Sequence, residues 1–174
     1  MNTLSEYKIQ YSGLKLGHHK FNYIIKDSFF TALEFTEISS GEVKVDLDFE
    51  KQTTMLILKF HISGWVEVVC DRCADTYKQE IECNEQLIVK FGIDNSEEIN
   101  EDIVFIDFKE YEFDISQYLY EFINISIPMH RIHPNDKNGN STCDKEMLKL
   151  IDKLRAKETN PKWDLLKNIE IEDN

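Results

Sequence analysis

Two cysteines separated by two residues, Cys70 and Cys73, are the first feature of the sequence that could do chemistry. A thiol pair at this spacing can chelate a metal ion, form a redox-active dithiol or remain unliganded. The residues on either side, WVEVV and TYKQE, have strand composition, so the pair is predicted at the tip of a hairpin. That position suits a zinc knuckle, in which backbone N–H groups bond the sulfurs. It fits a thioredoxin-like dithiol poorly, because such a dithiol lies at the N-terminus of a helix.

The remaining ligands of such a metal site must come from elsewhere in the chain, since zinc takes about four. A turn-rich loop offers His130, His133 and Cys143, and it combines imidazole with thiol. We expect the set Cys70, Cys73, His133 and Cys143 to form a closed structural site with no open position for water. Taken alone, the Cys-x-x-Cys pair leaves metal binding and unliganded or redox thiols equally open.

The other candidate residues favour structural roles. Cys83 alternates with its strand neighbours and is expected to be a small packed residue, because free cysteine is among the most buried residue types. His61 is expected to be a structural histidine within an apolar strand, and His18 and His19 to lie in a solvated turn. The acidic run at 97–102 is expected to be a solvated loop. The sequence contains no phosphate-binding glycine loop, no His-Glu-x-x-His and no Gly-x-Ser-x-Gly, so we expect no catalytic residues.

Composition restricts the class of protein further. The chain has 174 residues and four cysteines, with no apolar run of membrane-spanning length and no signal peptide features in MNTLSEYKIQ. We therefore expect a cytoplasmic protein of a reducing compartment. Acidic residues outnumber basic ones 33 to 20, giving a net charge of −13. This balance argues against a protein whose main task is to grip phosphate backbones.

The elements that must position these residues are mostly strands in the first part of the chain. GEVKVDLDFEK alternates apolar and charged residues, which predicts a strand with one buried face. MLILKFHISGWVEVV, with Gly64 as an expected bulge, and TYKQEIECNEQLIVKFG are predicted to pair as the hairpin around the two cysteines. Shorter strands are predicted at 7–11 and 20–25, and Asp27 with Ser28 is expected to cap a short helix.

Helical periodicity replaces alternation after residue 110. Asp114 is expected to cap a helix that ends before Pro128. A second helix is predicted at 144–157, and Asn160 and Pro161 are expected to begin a final helical segment in which Trp163 and Leu166 dock. We predict one α+β domain over 1–174, with 1–110 mostly β and 111–174 mostly helical around a turn-rich loop at 128–142. The first two thirds form a mainly antiparallel β-sheet or partly open barrel, packed by the C-terminal helices.

Several motifs follow one another in a fixed order. The hairpin carries Cys-x-Arg-Cys, the first predicted helix ends in Ile-Pro, and the following loop carries Ile132 and His133 and then Cys143 and Asp144 before a helix. Over residues 40–170 this order resembles the YceD family, the large ribosomal RNA subunit accumulation proteins, and Asn160, Pro161 and Trp163 are similar to the family's C-terminal ending. Many members have a second Cys-x-x-Cys pair in the loop, where this chain has His133 in place of one thiolate.

The resemblance implies a bacterial, cytoplasmic, non-enzymatic factor that supports large-subunit ribosomal RNA accumulation and ribosome assembly, with a structural zinc. Its partner would be a ribosomal protein, an assembly factor or pre-ribosomal RNA, with no membrane and no nucleotide cofactor. The acidic surface favours a basic protein over continuous contact with RNA. Basic residues near the second helix leave a local RNA contact open, although a solvated helix face is the simpler interpretation. The alternative is a thiol oxidoreductase or a metal-dependent RNA-processing enzyme that uses Cys70 and Cys73.

Overall fold

The computed structural model describes residues 3–33, 37–92 and 103–155, and the chain divides into two compact units. Unit 1 consists of Met1–Val69 and Thr76–Arg131, and unit 2 consists of Cys70–Asp75 and Ile132–Asn174. The expectation of a single domain stays a prediction. In chain order the elements are β1 (Lys8–Ile9), β2 (Gly17–Ile25), α1 (Asp27–Ala32), β3 (Gly41–Lys51), β4 (Met55–Val69), β5 (Thr76–Phe91), β6 (Ile103–Ile106), β7 (Phe113–Asp114), α2 (Ser116–Ser126) and α3 (Lys145–Arg155).

A five-stranded sheet in the order β2-β3-β4-β5-β6 forms the body of unit 1. Its first four strands are antiparallel to their neighbours, and β6 runs parallel to β5. A second sheet pairs the two short strands β1 and β7. The prediction of an α+β fold with a mainly antiparallel sheet is confirmed, and the sheet is not closed into a barrel.

The alternation predicted for residues 41–51 is present along β3. Its apolar side chains are at most 2 % exposed, and its charged side chains point to the opposite face. Helix α2 packs against β5 on the apolar side of the sheet, where Leu119 and Ile123 are fully buried and the ring of Phe122 lies 5.3 Å from that of Phe60. Unit 1 therefore has a continuous hydrophobic core.

Gly64 is not a bulge, because the registers of β4 with β3 and with β5 run through it without interruption. It is required for another reason. A Cβ at Gly64 would lie 2.2 Å from the carbonyl oxygen of Glu42 and 2.8 Å from the Cα of Val43, and the residue has a φ of +158°. The absence of a side chain lets β3 and β4 approach closely at this point.

The predicted strand at 7–11 is wrong beyond Lys8 and Ile9. Residues on either side form short 3-10 helices, since Tyr7 packs on Phe29 with ring centroids 4.9 Å apart and Tyr11 packs on Phe91 at 5.6 Å. These aromatic contacts in the folded chain outweigh local strand propensity.

Two predicted helix caps also differ from the structure. Asp27 does not cap α1; its Oδ1 accepts hydrogen bonds from Gly41 N at 2.9 Å and Ser40 Oγ at 3.0 Å, which fixes the entry into β3. Asp114 lies one residue before the N-cap of α2, and its Oδ1 accepts from Ser116 N at 2.9 Å. Helix α2 ends before Pro128, as predicted.

Some expectations lie outside the described residues. These are the solvated loop at 97–102 and the docking of the C-terminal segment through Asn160, Pro161, Trp163 and Leu166. Within the described ranges, no helix has both the length and the apolar character needed to cross a membrane.

Candidate metal centre

The described part of unit 2 has almost no hydrophobic core. In its described part, residues 70–75 and 132–155, the only buried side chains are the thiols of Cys70, Cys73 and Cys143, at 1 %, 3 % and 3 % exposure. A segment of this size cannot bury enough apolar surface to fold alone and ordinarily needs a metal ion or disulfides. The three thiols therefore occupy the place that an apolar core has in unit 1.

A tight turn between β4 and β5 presents the first two thiols, as predicted. Cys70 N donates to Asp75 O and Ala74 N donates to Cys70 O, both at 2.9 Å. Arg72 N donates to Cys70 Sγ at 3.4 Å, which is the N–H to sulfur bond expected of a knuckle. Ala74 has a φ of 60°, a left-handed conformation that is uncommon for a residue other than glycine. The turn thus directs both sulfurs to one side at the cost of a strained alanine.

A second tight turn brings His133 and Cys143 together across ten residues of sequence. Asn135 and Ser141 form an antiparallel bridge, and inside it Asp136 N donates to Asn140 O at 2.8 Å. The Oδ1 of Asp136 accepts from Asn138 N and Asn140 N, both at 2.8 Å. The turn lies within the turn-rich loop predicted at 128–142. Its sequence, Asp-x-Asn-x-Asn, is typical of an aspartate that bonds to backbone N–H groups two residues on.

Helix α3 begins directly after Cys143. The Oδ1 of Asp144 accepts from Met147 N at 2.6 Å and Leu148 N donates to Asp144 O at 3.1 Å, so Asp144 caps the helix. The helix covers Lys145–Arg155 within the described residues, against a prediction of 144–157. None of its side chains is buried. Capping therefore fixes the start of α3 next to the cluster, whereas packing contributes little.

The four predicted ligands converge in the structure. One ligand atom from each of Cys70, Cys73, His133 and Cys143 lies within 4.8 Å of all the others, close enough to hold a metal ion. Cys70 Sγ lies 3.9 Å from Cys143 Sγ, and Cys73 Sγ lies 3.5 Å from His133 Nδ1. A tetrahedron with Zn–S of about 2.3 Å and Zn–N of about 2.05 Å has edges of about 3.8 and 3.6 Å. The residues present thus fit a tetrahedral ion.

The pKa values of the Cys70 and Cys73 thiols are shifted in opposite directions. Burial raises the pKa of Cys70, but hydrogen bonds from the His133 side chain and from nearby backbone N–H groups outweigh it and lower the pKa to about 6. Burial is the largest cause of the raised pKa of Cys73; backbone N–H groups of Asp75 and Asp144 oppose the rise, while the Cys70 and Cys143 thiols add to it. The negative charge of one thiolate raises the pKa of its neighbours. A bound cation would offset this repulsion by stabilising all three thiolates.

The remaining candidates lie outside this cluster. Cys83 is half-buried in unit 1, donates to Phe122 O at 3.8 Å and has a pKa raised mainly by burial. His61 Nδ1 lies 2.9 Å from Asn84 Oδ1 on the neighbouring strand. His18 and His19 belong to β2 and not to a turn, and His130 is exposed. Among the described residues, the four clustered side chains are the ones that could hold a metal ion.

Three thiolates and one imidazole make a soft, closed donor set. Such ligands favour zinc and other thiophilic metals, and four protein ligands leave no coordination position for a substrate. The arrangement can hold two turns and the start of a helix around one ion. An ion held by all four side chains would have no open position for the water that metal-assisted hydrolysis requires.

Comparison with protein families places the clustered residues within a known family. A sequence model of the family described as "Large ribosomal RNA subunit accumulation protein YceD" matches residues 58–170, a range that includes all four clustered residues. No curated protein and no solved structure matches the chain.

Proposed function

Because the chain belongs to the YceD family, whose sequence model covers residues 58–170, we propose that it is a non-enzymatic factor for large-subunit ribosomal RNA accumulation and ribosome assembly. It acts in the bacterial cytoplasm, where ribosomes are assembled. Its partners are components of the assembling large subunit. Neither a membrane nor a nucleotide cofactor takes part.

The metal in this proposal is a structural zinc held by Cys70, Cys73, His133 and Cys143. The observation that carries it is that three of these four residues are the only buried side chains in the described part of unit 2. Zinc supplies folding free energy to a unit whose described part lacks an apolar core, because the ligand set forms only in the folded state. The fit of the 3.9 and 3.5 Å separations to tetrahedral edges supports zinc over coincidentally packed thiols.

The direct partner is a basic protein, either a ribosomal protein or another assembly factor. The chain carries a net charge of −13, and charge complementarity guides association with partners of opposite sign. Exposed carboxylates such as Glu42 and Asp46 on the outer face of β3 contribute to this field. A basic partner would therefore associate faster at low ionic strength.

Depletion of the gene tests the proposed function. The ratio of large-subunit to small-subunit ribosomal RNA should fall, and wild-type protein or Cys83→Ser should restore it. Cys143→Ser should fail to restore the ratio at equal protein abundance, because one of the four proposed zinc ligands is lost. An unchanged ratio after depletion contradicts the proposed function.

A thiol oxidoreductase is the second candidate, and the lowered pKa of Cys70 favours it. Against it stand the 1 % exposure of Cys70 and the absence of a helix N-terminus at the pair. Thiol titration separates the two functions. A zinc site hides its thiols until a chelator is added, whereas a redox pair reacts without chelator and cycles reversibly between dithiol and disulfide.

A further inference from the structure

Helix α3 carries three lysines at intervals of four residues. Lys145, Lys149 and Lys153 are all exposed, and their spacing places them along one side of the helix. We call this set the lysine stripe. Exposed apolar residues, among them Leu150 and Leu154, lie on another side of the helix and leave the stripe accessible.

The three ammonium groups of the lysine stripe form no ion pair within the described part of the chain, and the carboxylates one helical turn away on α3 are those of Glu146 and Asp152, both next to Lys149. Ion pairs among the described residues include Lys8 with Glu112, Arg131 with Glu37 and, when the imidazole is protonated, His18 with Asp48. None of them involves α3.

Lysines of unit 1 show the contrasting behaviour. The Nζ of Lys51 donates to Tyr11 O at 2.8 Å and Leu14 O at 2.9 Å, and the Nζ of Lys78 lies 3.6 Å from the centre of the Trp65 ring. The side chains of Lys51 and Lys78 therefore stabilise the fold of unit 1. The cations of the lysine stripe make no comparable contact among the described residues, so they serve no folding role there.

Like charges one helical turn apart repel each other and destabilise a helix. Glu146 and Asp152, each three residues from Lys149, offset part of this repulsion, but no carboxylate of α3 lies one turn from Lys145 or Lys153, and no side chain of α3 is buried to add stability. An anion that binds along the stripe would remove the repulsion. Successive lysines rise by about 6 Å along the axis, and their flexible stems allow each ammonium group to reach a separate phosphate.

We propose that the lysine stripe contacts the phosphate backbone of RNA. This inference rests on the proposed function, which brings the chain to large-subunit ribosomal RNA. It gives the two units separate tasks: unit 1 presents acidic groups to a basic protein, and unit 2 presents the lysine stripe to RNA. Contact through one short stripe is compatible with a net charge of −13, because Coulomb forces at physiological salt act over about 8 Å.

The test measures the binding of in vitro transcribed large-subunit ribosomal RNA to the metal-loaded full chain by fluorescence anisotropy over a range of KCl concentrations. A triple variant, Lys145→Gln, Lys149→Gln and Lys153→Gln, keeps helix propensity and removes the charges. We expect its affinity at about 100 mM salt to fall at least tenfold and its salt slope to decrease by about 2. The single variant Lys149→Gln should lower the slope by about 1 and covers the case in which the triple variant misfolds.

A matched control removes three exposed lysines from the sheet of unit 1, with Lys20→Gln, Lys44→Gln and Lys59→Gln. The control should bind RNA with an unchanged slope. An unchanged slope in the Lys149→Gln variant, an equal loss in the control, or no RNA binding by wild type overturns the inference.

Binding to vesicles of anionic phospholipid that depends on the lysine stripe, with RNA binding unaffected by the substitutions, would overturn the inference and assign the stripe to a membrane surface. If gene depletion still lowers large-subunit RNA, these outcomes refute the lysine stripe and leave the proposed function standing.

Discussion

The two units of this protein are stabilised by different physical means. Unit 1 buries an alternating set of apolar side chains between an open sheet and α2, as in ordinary globular domains. Unit 2 buries three thiols within its described residues and relies on hydrogen-bonded turns to aim them. Hydrophobic stabilisation in unit 1 is intrinsic to the chain, whereas the proposed zinc site would make the stability of unit 2 depend on the concentration of a metal ion.

If the proposal holds, unit 2 is the part of the molecule whose folding depends on metal binding. Under the proposal its ligands must be deprotonated and brought together for the ion to bind, so we expect metal binding and folding of unit 2 to be one event. The sheet of unit 1 can form without that event. Substitutions in unit 2 should therefore change metal affinity, and substitutions in unit 1 should change the free energy of unfolding. A variant that changes both quantities together would contradict this difference between the units.

The largest effect is expected from loss of a ligand. Cys143→Ser should lower metal affinity by more than the 10- to 100-fold typical of substitutions around a metal site, because a thiolate ligand itself is removed. Metal content per chain, measured on protein purified without added zinc, should fall from about one to near zero. Cys83→Ser is the control, since its half-buried thiol lies in unit 1, and it should retain the metal. Equal metal content in both variants would contradict the site.

A second variant should destabilise unit 1 alone. Gly64→Ala places a Cβ 2.2 Å from the Glu42 carbonyl oxygen, and we expect the free energy of unfolding to fall by about 3 kcal/mol because the paired strands must separate. Denaturant titration followed by the circular dichroism of the sheet measures it, with Gly13→Ala as control, since no atom lies within 4 Å of a Cβ there. Metal affinity should stay at the wild-type value, and a parallel loss of metal would show that the units fold together.

The turn around Asp136 tests how far unit 2 depends on local hydrogen bonds. Asp136→Ala removes the carboxylate that orders the loop, so His133 and Cys143 must be brought together at a greater entropic cost. We expect metal affinity to fall about 10- to 100-fold, as for other groups that orient ligands. Competition with a chromophoric chelator measures the affinity, and Asp152→Ala on α3 should leave it unchanged.

The smallest effect is expected at Ala74. Ala74→Gly removes the strain of the left-handed conformation but gives the unfolded chain more conformational freedom. We therefore expect the free energy of the folded turn to improve by only about 0.5 kcal/mol, which is about twofold in metal affinity. Ala74→Val should have the opposite sign because a β-branched residue tolerates this conformation worse than alanine. Weaker binding by Ala74→Gly than by Ala74→Val, in the same chelator competition, would show that the turn geometry is wrong.

Sequence patterns predict the regular parts of this protein well. Alternation along β3 gave the buried face directly, because side chains of a strand point to opposite sides at every residue. The convergence of Cys70 and Cys73 with His133 and Cys143 was predicted from ligand chemistry and turn composition. The clustering is present in the structure, and ligation by these residues stays a prediction.

The features that were not predicted depend on contacts distant in sequence. Asp27 and Asp114 both have the residue type of helix caps, but Asp27 bonds to Ser40 and Gly41 at the start of β3. Asp114 bonds to Ser116 N from one residue before the N-cap of α2, because it pairs with Lys8 in the small sheet. The parallel pairing of β6 with β5 has no local signature. Nor did the sequence indicate two compact units, because their segments interleave at Cys70–Asp75.

Hydrogen–deuterium exchange of the metal-loaded full chain, before and after addition of a zinc chelator, tests the central claim most directly. After chelation, amides of unit 2 such as Asp136, Gly139 and Leu148 should exchange at rates of an unfolded chain, because their bonds depend on the assembled ligands. Amides of β3 and of the central part of β4 should keep their protection. Persistent protection at Asp136 and Leu148 without metal, or simultaneous loss of protection across the sheet, would contradict the account.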